Sequence, residues 1–311
     1  MKAVRIHAYG DRSVLSFEDA PKPEIQPDEV LVRIIAASVN PVDWKIREGY
    51  LKSMIPYEFP LTLGWDFSGV IEASGAEVSN FRVGEAVFSR PDIARNGTYA
   101  EYVAVRAAEI ARKPKTISHL EAASLPLAGI TAWETVVTIG QLAPGQRALI
   151  HAASGGVGSL AVQIAKWRGA HVVATTSAAN MDLVKSLGAD QVVDYRKGKL
   201  TDSVRDIDLV VDTLGGEAQT SSWRVLRRGG TLVSTVSVPS VDEAKEFGVK
   251  SEFLFITPNA PVLDRLTDLV DTGKIRPLIG GEFALRNIAD AHALSESGHT
   301  VGKIVLYVAQ P

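Results

Sequence analysis

Residues 147–158, RALIHAASGGVG, constrain this chain more than any other stretch. Arg147–Ala152 is short, apolar and followed by a turn, which predicts a buried strand. After Ser154-Gly155-Gly156-Val157-Gly158, the residues Val157, Leu160, Ala161, Ile164 and Ala165 recur at three- and four-residue spacing, which is one face of a helix. Gly169 stands where that helix would stop, and His171–Thr176 reads as the next strand. A strand that passes through glycines into a helix leaves no side chain in the turn. It also points the helix's first unpaired N–H groups and positive dipole end at whatever binds there, which suits a pyrophosphate. A tight turn packed without ligand would use the same glycines; the strand before and the long helix after favour a dinucleotide.

The alternation continues. Met181–Leu187 reads as a helix closed by Gly188, Gln191–Val193 and Ile207–Asp212 as strands, Ala218–Leu226 as a helix and Thr231–Val236 as a strand. Helices between short β-branched runs predict an α/β fold with a doubly wound parallel sheet. The first third differs. Val30–Ala36, Phe67–Ser74 and Thr98–Val105 are strand candidates among Pro, Gly and Asp punctuators, which suggests a barrel-like or sandwiched β-domain. Helices are expected at Ala260–Thr272 and Ile288–Ser295, and a closing strand at Lys303–Val308. At 311 residues, two domains are expected, with boundaries near 118 and 257.

Composition excludes several chemistries. The chain has no cysteine, so disulfides, thiolate nucleophiles, iron–sulfur clusters and sulfur-ligated zinc are ruled out. A net charge of −3 gives no electrostatic reason to bind nucleic acid. No run of about 20 apolar residues occurs, so no membrane partner is expected. Met1–Ser13 lacks the apolar block of a signal peptide, and a cytoplasmic location is the expectation. The histidines show no metal-ligand spacing, and Gly-x-Ser-x-Gly is absent, which leaves a hydrolase without support.

The end of the second strand of the nucleotide domain addresses cofactor choice. An acid there would bind the ribose hydroxyls of NAD and repel a 2′-phosphate. This chain has Thr175-Thr176-Ser177, with Lys185, Tyr195, Arg196 and Lys197 nearby. NADPH is therefore expected over NADH, although Ser177 also reads as a cap for the following helix.

Beyond the glycine turn, three further segments carry a resemblance: Val39–Lys45 (VNPVDWK), Leu127–Glu134 (LAGITAWE) and Val301–Val305 (VGKIV). With the turn they resemble the medium-chain dehydrogenase/reductases over essentially the whole chain, nearest the zinc-independent quinone oxidoreductase branch with its plant-type quinone and enone oxidoreductases. The resemblance implies a GroES-like catalytic domain from residues 1–117, a Rossmann domain from 118–256, and a return of 257–311 to the first. It also implies a small-molecule substrate in the cleft between the domains, and a homodimer joined through edge strands, here Thr231–Val236 and Ser251–Ile256. Zinc alcohol dehydrogenases of the superfamily place a cysteine ligand where Asn40 stands, and the histidine of Gly-His-Glu where Gly64-Trp65-Asp66 stands. Asn and Trp do not hold Zn²⁺, so no metal is expected. The expected substrate is then electrophilic by its own conjugation: a quinone, or alternatively the C=C bond of an enone or enal. An NADPH-binding regulatory protein with little turnover is the reading of a different class.

The resemblance places Asn40, Asp43, Lys45 and Tyr50 in the loop that approaches the nicotinamide end, with Thr131 facing the ring. Lys45 would hold the ribose or an enolate, Tyr50 would donate a proton, and Asn40 would orient either. More ordinary roles are a solvated charge for Lys45, a turn cap for Asp43 and packing for Tyr50. Trp65, Tyr57, Phe59 and Phe255 would wall an aromatic pocket. The expected catalytic residues are thus Asn40, Lys45 and Tyr50. The expected cofactor contacts are Asn40, Asp43, Thr131, Ser154, Gly155, Gly156, Val157, Thr175, Thr176, Ser177, Tyr195, Val236 and Phe255.

Overall fold

The β-branched runs of the second half pair into one parallel sheet. Its order is Gln191–Asp194, His171–Thr176, Arg147–Ile150, Ile207–Asp212, Leu226–Ser234, Lys250–Phe253. A parallel sheet is covered on both faces, so its strands carry apolar residues on both sides; Val172, Val173, Ala174, Leu209, Val210 and Val211 are all buried. The strand order reverses beside Arg147–Ile150, and the crevice at such a reversal is where ligands of doubly wound sheets sit. This computed structural model describes residues 1–308. It divides into two units: Met1–Leu127 with Thr257–Gly273 and the chain from Pro277 onward, and Ala128–Ile256 with Lys274–Arg276. The first division falls inside the helix Pro126–Trp133, later than the expected 118. Lys274–Arg276 joins the nucleotide unit because the Gln163 amide holds the backbone of Arg276, donating to its carbonyl at 3.0 Å and accepting from its N–H at 2.9 Å.

The first unit is built on the long strand Glu29–Val39. One of its edges pairs with Phe67–Ser74; the other is shared end to end by Tyr102–Arg106 and the C-terminal strand Lys303–Tyr307. Ala86–Ser89 and Ile110–Arg112 extend the sheet beyond Phe67–Ser74, and Ile279–Ala284 extends it beyond Lys303–Tyr307. A second sheet joins Lys2–Ile6 to Ser16–Asp19 and Leu61–Thr62. The return of the chain's end is decided by packing: Ile304 and Leu306 enter one buried cluster with Val4, Ile6, Val39 and Leu63.

Several expectations are corrected. Pro41–Arg47 is a helix, where the resemblance implied a loop. Pro41 at its first turn is preset for helical φ. Strand structure begins at Tyr102 and not at Thr98, because Tyr99 is drawn aside to pair its N–H with the Leu63 carbonyl. Leu226 opens a strand and does not end a helix, since its register partner is Ile207. Leu226–Ser234 lies inside the sheet, so of the two expected edge segments only Ser251–Ile256 reaches an edge, through the strand Lys250–Phe253.

Candidate active site

In the nucleotide unit the glycine turn closes on itself. Ala152 is left-handed at φ +48°, strained for a residue with a side chain, and its carbonyl accepts the Gly155 N–H at 2.9 Å. A Cβ on Gly158 would lie 2.3 Å from that same oxygen, so only glycine lets the helix pack this close. The N–H groups of Gly156, Val157 and Gly158 reach no described residue, as expected of the first turn of the helix Gly156–Trp167. Beside them, Ser154 Oγ accepts from Thr176 Oγ1 at 3.0 Å and from Asn180 Nδ2 at 3.3 Å, and the same Nδ2 lies 3.3 Å from Ser177 Oγ. Four neutral polar side chains therefore surround the place where an adenosine ribose would lie.

Thr175 does not join them. Alternation along the strand turns it to the opposite face, where its hydroxyl meets His151 Nδ1 at 3.0 Å. His151 Nε2 lies 2.8 Å from Ser222 Oγ, and burial holds this imidazole down to about 4, hence neutral. His151, Thr175, Asp194, Tyr195 and Leu214 line a cavity of about 420 Å³. Tyr195 is exposed, with the Arg196 guanidinium 5.3 Å above its ring. Val236 and Phe255, just beyond the ends of their strands, are partly exposed, and Thr131 is buried in Pro126–Trp133.

In the first unit the sheet register sets Ile304 against Val39, which brings Lys303 to Asn40. Lys303 Nζ donates to Asn40 Oδ1 at 2.5 Å and to the Val39 carbonyl at 2.6 Å, and lies 3.6 Å from Asp66. Asp66 in turn accepts from Asn40 Nδ2 at 2.8 Å, Ser38 Oγ at 2.8 Å and the Leu127 N–H at 2.7 Å. Burial pushes the Asp66 carboxyl up and the Lys303 ammonium down, and the pairing opposes both shifts. Asp43 accepts from Tyr99 at 2.6 Å and from the Asn40 N–H at 2.8 Å, while its Oδ1 has no partner among the described residues. Full burial raises Asp43 to about 7, against the pull of those two donors.

The expected catalytic residues thus separate. Both ends of the Asn40 side chain are bound inside the unit, and Asp43 is wholly enclosed, so neither presents a free polar group to a ligand. Tyr50 is exposed, and the neighbouring Glu48 carboxylate pushes its phenol up. Lys45 is half-buried, and its ammonium stands 5.7 Å from the Trp44 ring and makes no hydrogen bond or ion pair among the described residues. The aromatic pocket is also revised: Trp65 is core, donating to the Arg95 carbonyl at 3.4 Å, Tyr57 bonds the Ile93 carbonyl, and Phe59 stands edge-on to Tyr9. Asn180, His151, Tyr99 and the pairing of Asp66 with Lys303 escaped sequence reasoning. The available signal was a lysine within the apolar run of VGKIV, since lysine is almost never buried unless paired.

A family model described as an alcohol dehydrogenase GroES-like domain matches residues 26–115, and one described as a zinc-binding dehydrogenase matches residues 187–306. The chain is 35% identical to the mouse protein named NAD(P)H oxidoreductase RTN4IP1, mitochondrial, over 99% of this chain and 89% of that one. It is 34% identical to the Arabidopsis thaliana NADPH-dependent alkenal/one oxidoreductase, chloroplastic, over 99% of this chain and 79% of that one. The solved structure of the quinone oxidoreductase from Coxiella burnetii superposes with a TM-score of 0.94 at 34% identity, covering 99% of each chain. The expected cytoplasmic location is corrected: these relatives are named as mitochondrial and chloroplastic proteins. No helix among the described residues is long and apolar enough to cross a membrane.

Proposed function

The chain belongs to the medium-chain dehydrogenase/reductase superfamily, in its zinc-independent quinone oxidoreductase-like branch, and from that premise we propose that it is an NADPH-dependent reductase of quinones, with enones and enals as the alternative substrates. The observation that carries this reading is the cradle at Gly155–Gly158, with three adjacent N–H groups free at a helix N-terminus and no room for a Cβ at Gly158.

A dinucleotide fits the residues present. The N–H groups of Gly156, Val157 and Gly158 would take the pyrophosphate. Ser154, Thr176, Ser177 and Asn180 would take the ribose and its 2′-phosphate without the repulsion that a carboxylate brings. When bound, the cofactor supplies a hydride. In the catalytic unit, Lys45 is the candidate whose polar group is uncommitted, so it is free to bind an oxygen of cofactor or substrate. The two positions that carry zinc ligands in alcohol dehydrogenases hold Asn40, whose oxygen is taken by the Lys303 ammonium, and Trp65, which is core. This donor set does not suit Zn²⁺, and we assign reduction to substrates already electrophilic through conjugation.

The test is a titration of NADPH and NADH by quenching of protein fluorescence, followed by NADPH consumption with 1,4-benzoquinone and with 3-buten-2-one. Tighter binding of NADPH and turnover of at least one acceptor are expected. Tight NADPH binding with no turnover of either acceptor would replace the enzyme by a nucleotide-binding regulator. Equal affinity for NADH would overturn the role given to the neutral group around Ser154.

A further inference from the structure

Beside Lys303 and Arg47, the catalytic unit buries a third cation, and among the described residues this one is unpaired. Arg90 follows the strand Ala86–Ser89, whose register sets Ser89 against Phe67, so Arg90 comes up opposite Asp66 at the end of the sheet where Trp65 also lies. It is 2% exposed. Burial works against its charge, and the carboxylates of Asp66, Asp92 and Glu109 and the Tyr57 hydroxyl offset that from a distance. None of them accepts a hydrogen bond from it. Asp66 is taken by Asn40, Ser38, Leu127 and Lys303; Glu109 by Arg106 and the Asp92 N–H; Tyr57 is committed to Ile93. Among the described residues the Arg90 guanidinium makes no hydrogen bond or ion pair, and its Nε is closed off from solvent. Arg47, equally buried, is met by Gly10, His292, Glu48 and Glu296. Burying a charge without a partner is strongly unfavourable, so an unpaired group of this kind calls for a reason, and a ligand is one.

We propose that Arg90 receives the carbonyl oxygen of the substrate and holds the negative charge that gathers there during reduction. This rests on the reading above that the substrate is a conjugated carbonyl. For an enone, a hydride breaks from the dihydronicotinamide and forms a C–H bond at the carbon β to the carbonyl. The C=C pair shifts toward the carbonyl carbon, and the C=O pair moves onto oxygen. The substrate has gained two electrons, the nicotinamide is oxidised, and one solvent proton at the α-carbon restores the carbonyl. A quinone takes the same hydride and solvent proton to become the hydroquinone. A guanidinium stays charged at every working pH and presents parallel N–H groups in one plane, so it stabilises the oxyanion without surrendering a proton. It fills the role that a metal plays where Asn40 and Trp65 are replaced by ligands.

Arg90→Gln and Arg90→Lys test this on the full chain. Arg90→Gln is expected to lower kcat with either acceptor by about 10²-fold, the usual loss of one oxyanion donor. Arg90→Lys should fall between it and wild type. NADPH affinity, read by fluorescence quenching, should not change, and guanidinium ion added at low millimolar concentration should restore part of the Arg90→Gln rate. In the cofactor-free protein, 4-nitrophenolate should bind to wild type by calorimetry and lose that affinity in Arg90→Gln. An Arg90→Gln enzyme as fast as wild type, or one that melts earlier, binds 4-nitrophenolate normally and gains nothing from guanidinium, would make Arg90 a structural charge and overturn the assignment. A wild type that binds NADPH but reduces neither acceptor would defeat the functional reading, and this inference with it.

Discussion

Asp43 sets a pH dependence that can be worked out in advance. It is fully buried, accepts from Tyr99 and from the Asn40 N–H, and has one oxygen without a donor. Burial carries it from an ordinary 3.8 to about 7. At about 1.4 kcal/mol per pH unit, that difference amounts to about 4 kcal/mol. The sign follows from the order of the two ionisations. Below about pH 4 the group is protonated whether the chain is folded or not. As the pH rises from about 4 to 7 the unfolded chain releases the proton while the folded protein keeps it, and stability falls. Above about 7 both states are ionised and this contribution is flat. Asp43→Asn keeps an oxygen for Tyr99 and Asn40 and has no proton to lose. The assay is urea unfolding of both proteins at intervals across this range, followed by near-ultraviolet circular dichroism. The variant should gain on wild type by about 4 kcal/mol between the acid and alkaline ends, with the change centred between the two ionisations. Other titrating groups are common to both proteins and cancel in the difference. A difference that stays constant with pH would refute the reasoning, and so would one that falls.

Lys303→Met should lower unfolding stability by about 3–5 kcal/mol because it leaves Asp66 as an unpaired buried carboxylate. Adding Asp66→Asn should recover part of the loss, and a urea-denaturation double-mutant cycle with simply additive effects would exclude the pairing. Gly158→Ala forces a methyl against the Ala152 carbonyl and should cost about 1–3 kcal/mol while weakening NADPH binding. Unchanged urea midpoint and unchanged fluorescence titration would together rule out the close approach.

The parallel sheet was legible because its cause is local. Runs such as Ile207–Asp212 and His171–Thr176 carry their own β-branched character, and glycines such as Gly169 and Gly188 take the positive φ that ends each helix. The glycine turn was legible for the same reason, since its constraint lies between residues a few positions apart. The catalytic-unit site was less so. Asn40 and Asp43 stand in a stretch that reads as ligand-facing, yet their side chains close onto Asp66, Lys303 and Tyr99, residues far along the chain. Nothing near Asn40 announces Lys303, because the antiparallel pairing of Glu29–Val39 with Lys303–Tyr307 is what joins them. Thr175 and Thr176 were read as one hydroxyl group, and the two-residue period of a strand sends them to opposite faces.

The sequence by itself determined the nucleotide unit's architecture and the cradle at its first turn. Those depend on residue identity and short-range geometry. Only the tertiary structure decided which polar side chains were left free to act. A charged group's availability depends on every partner that reaches it, and those partners come from strands brought together by a common core. Lys303 is a cation already claimed by Asn40 and Asp66, whereas Arg90, opposite the same carboxylate, is a cation that no side chain among the described residues has met.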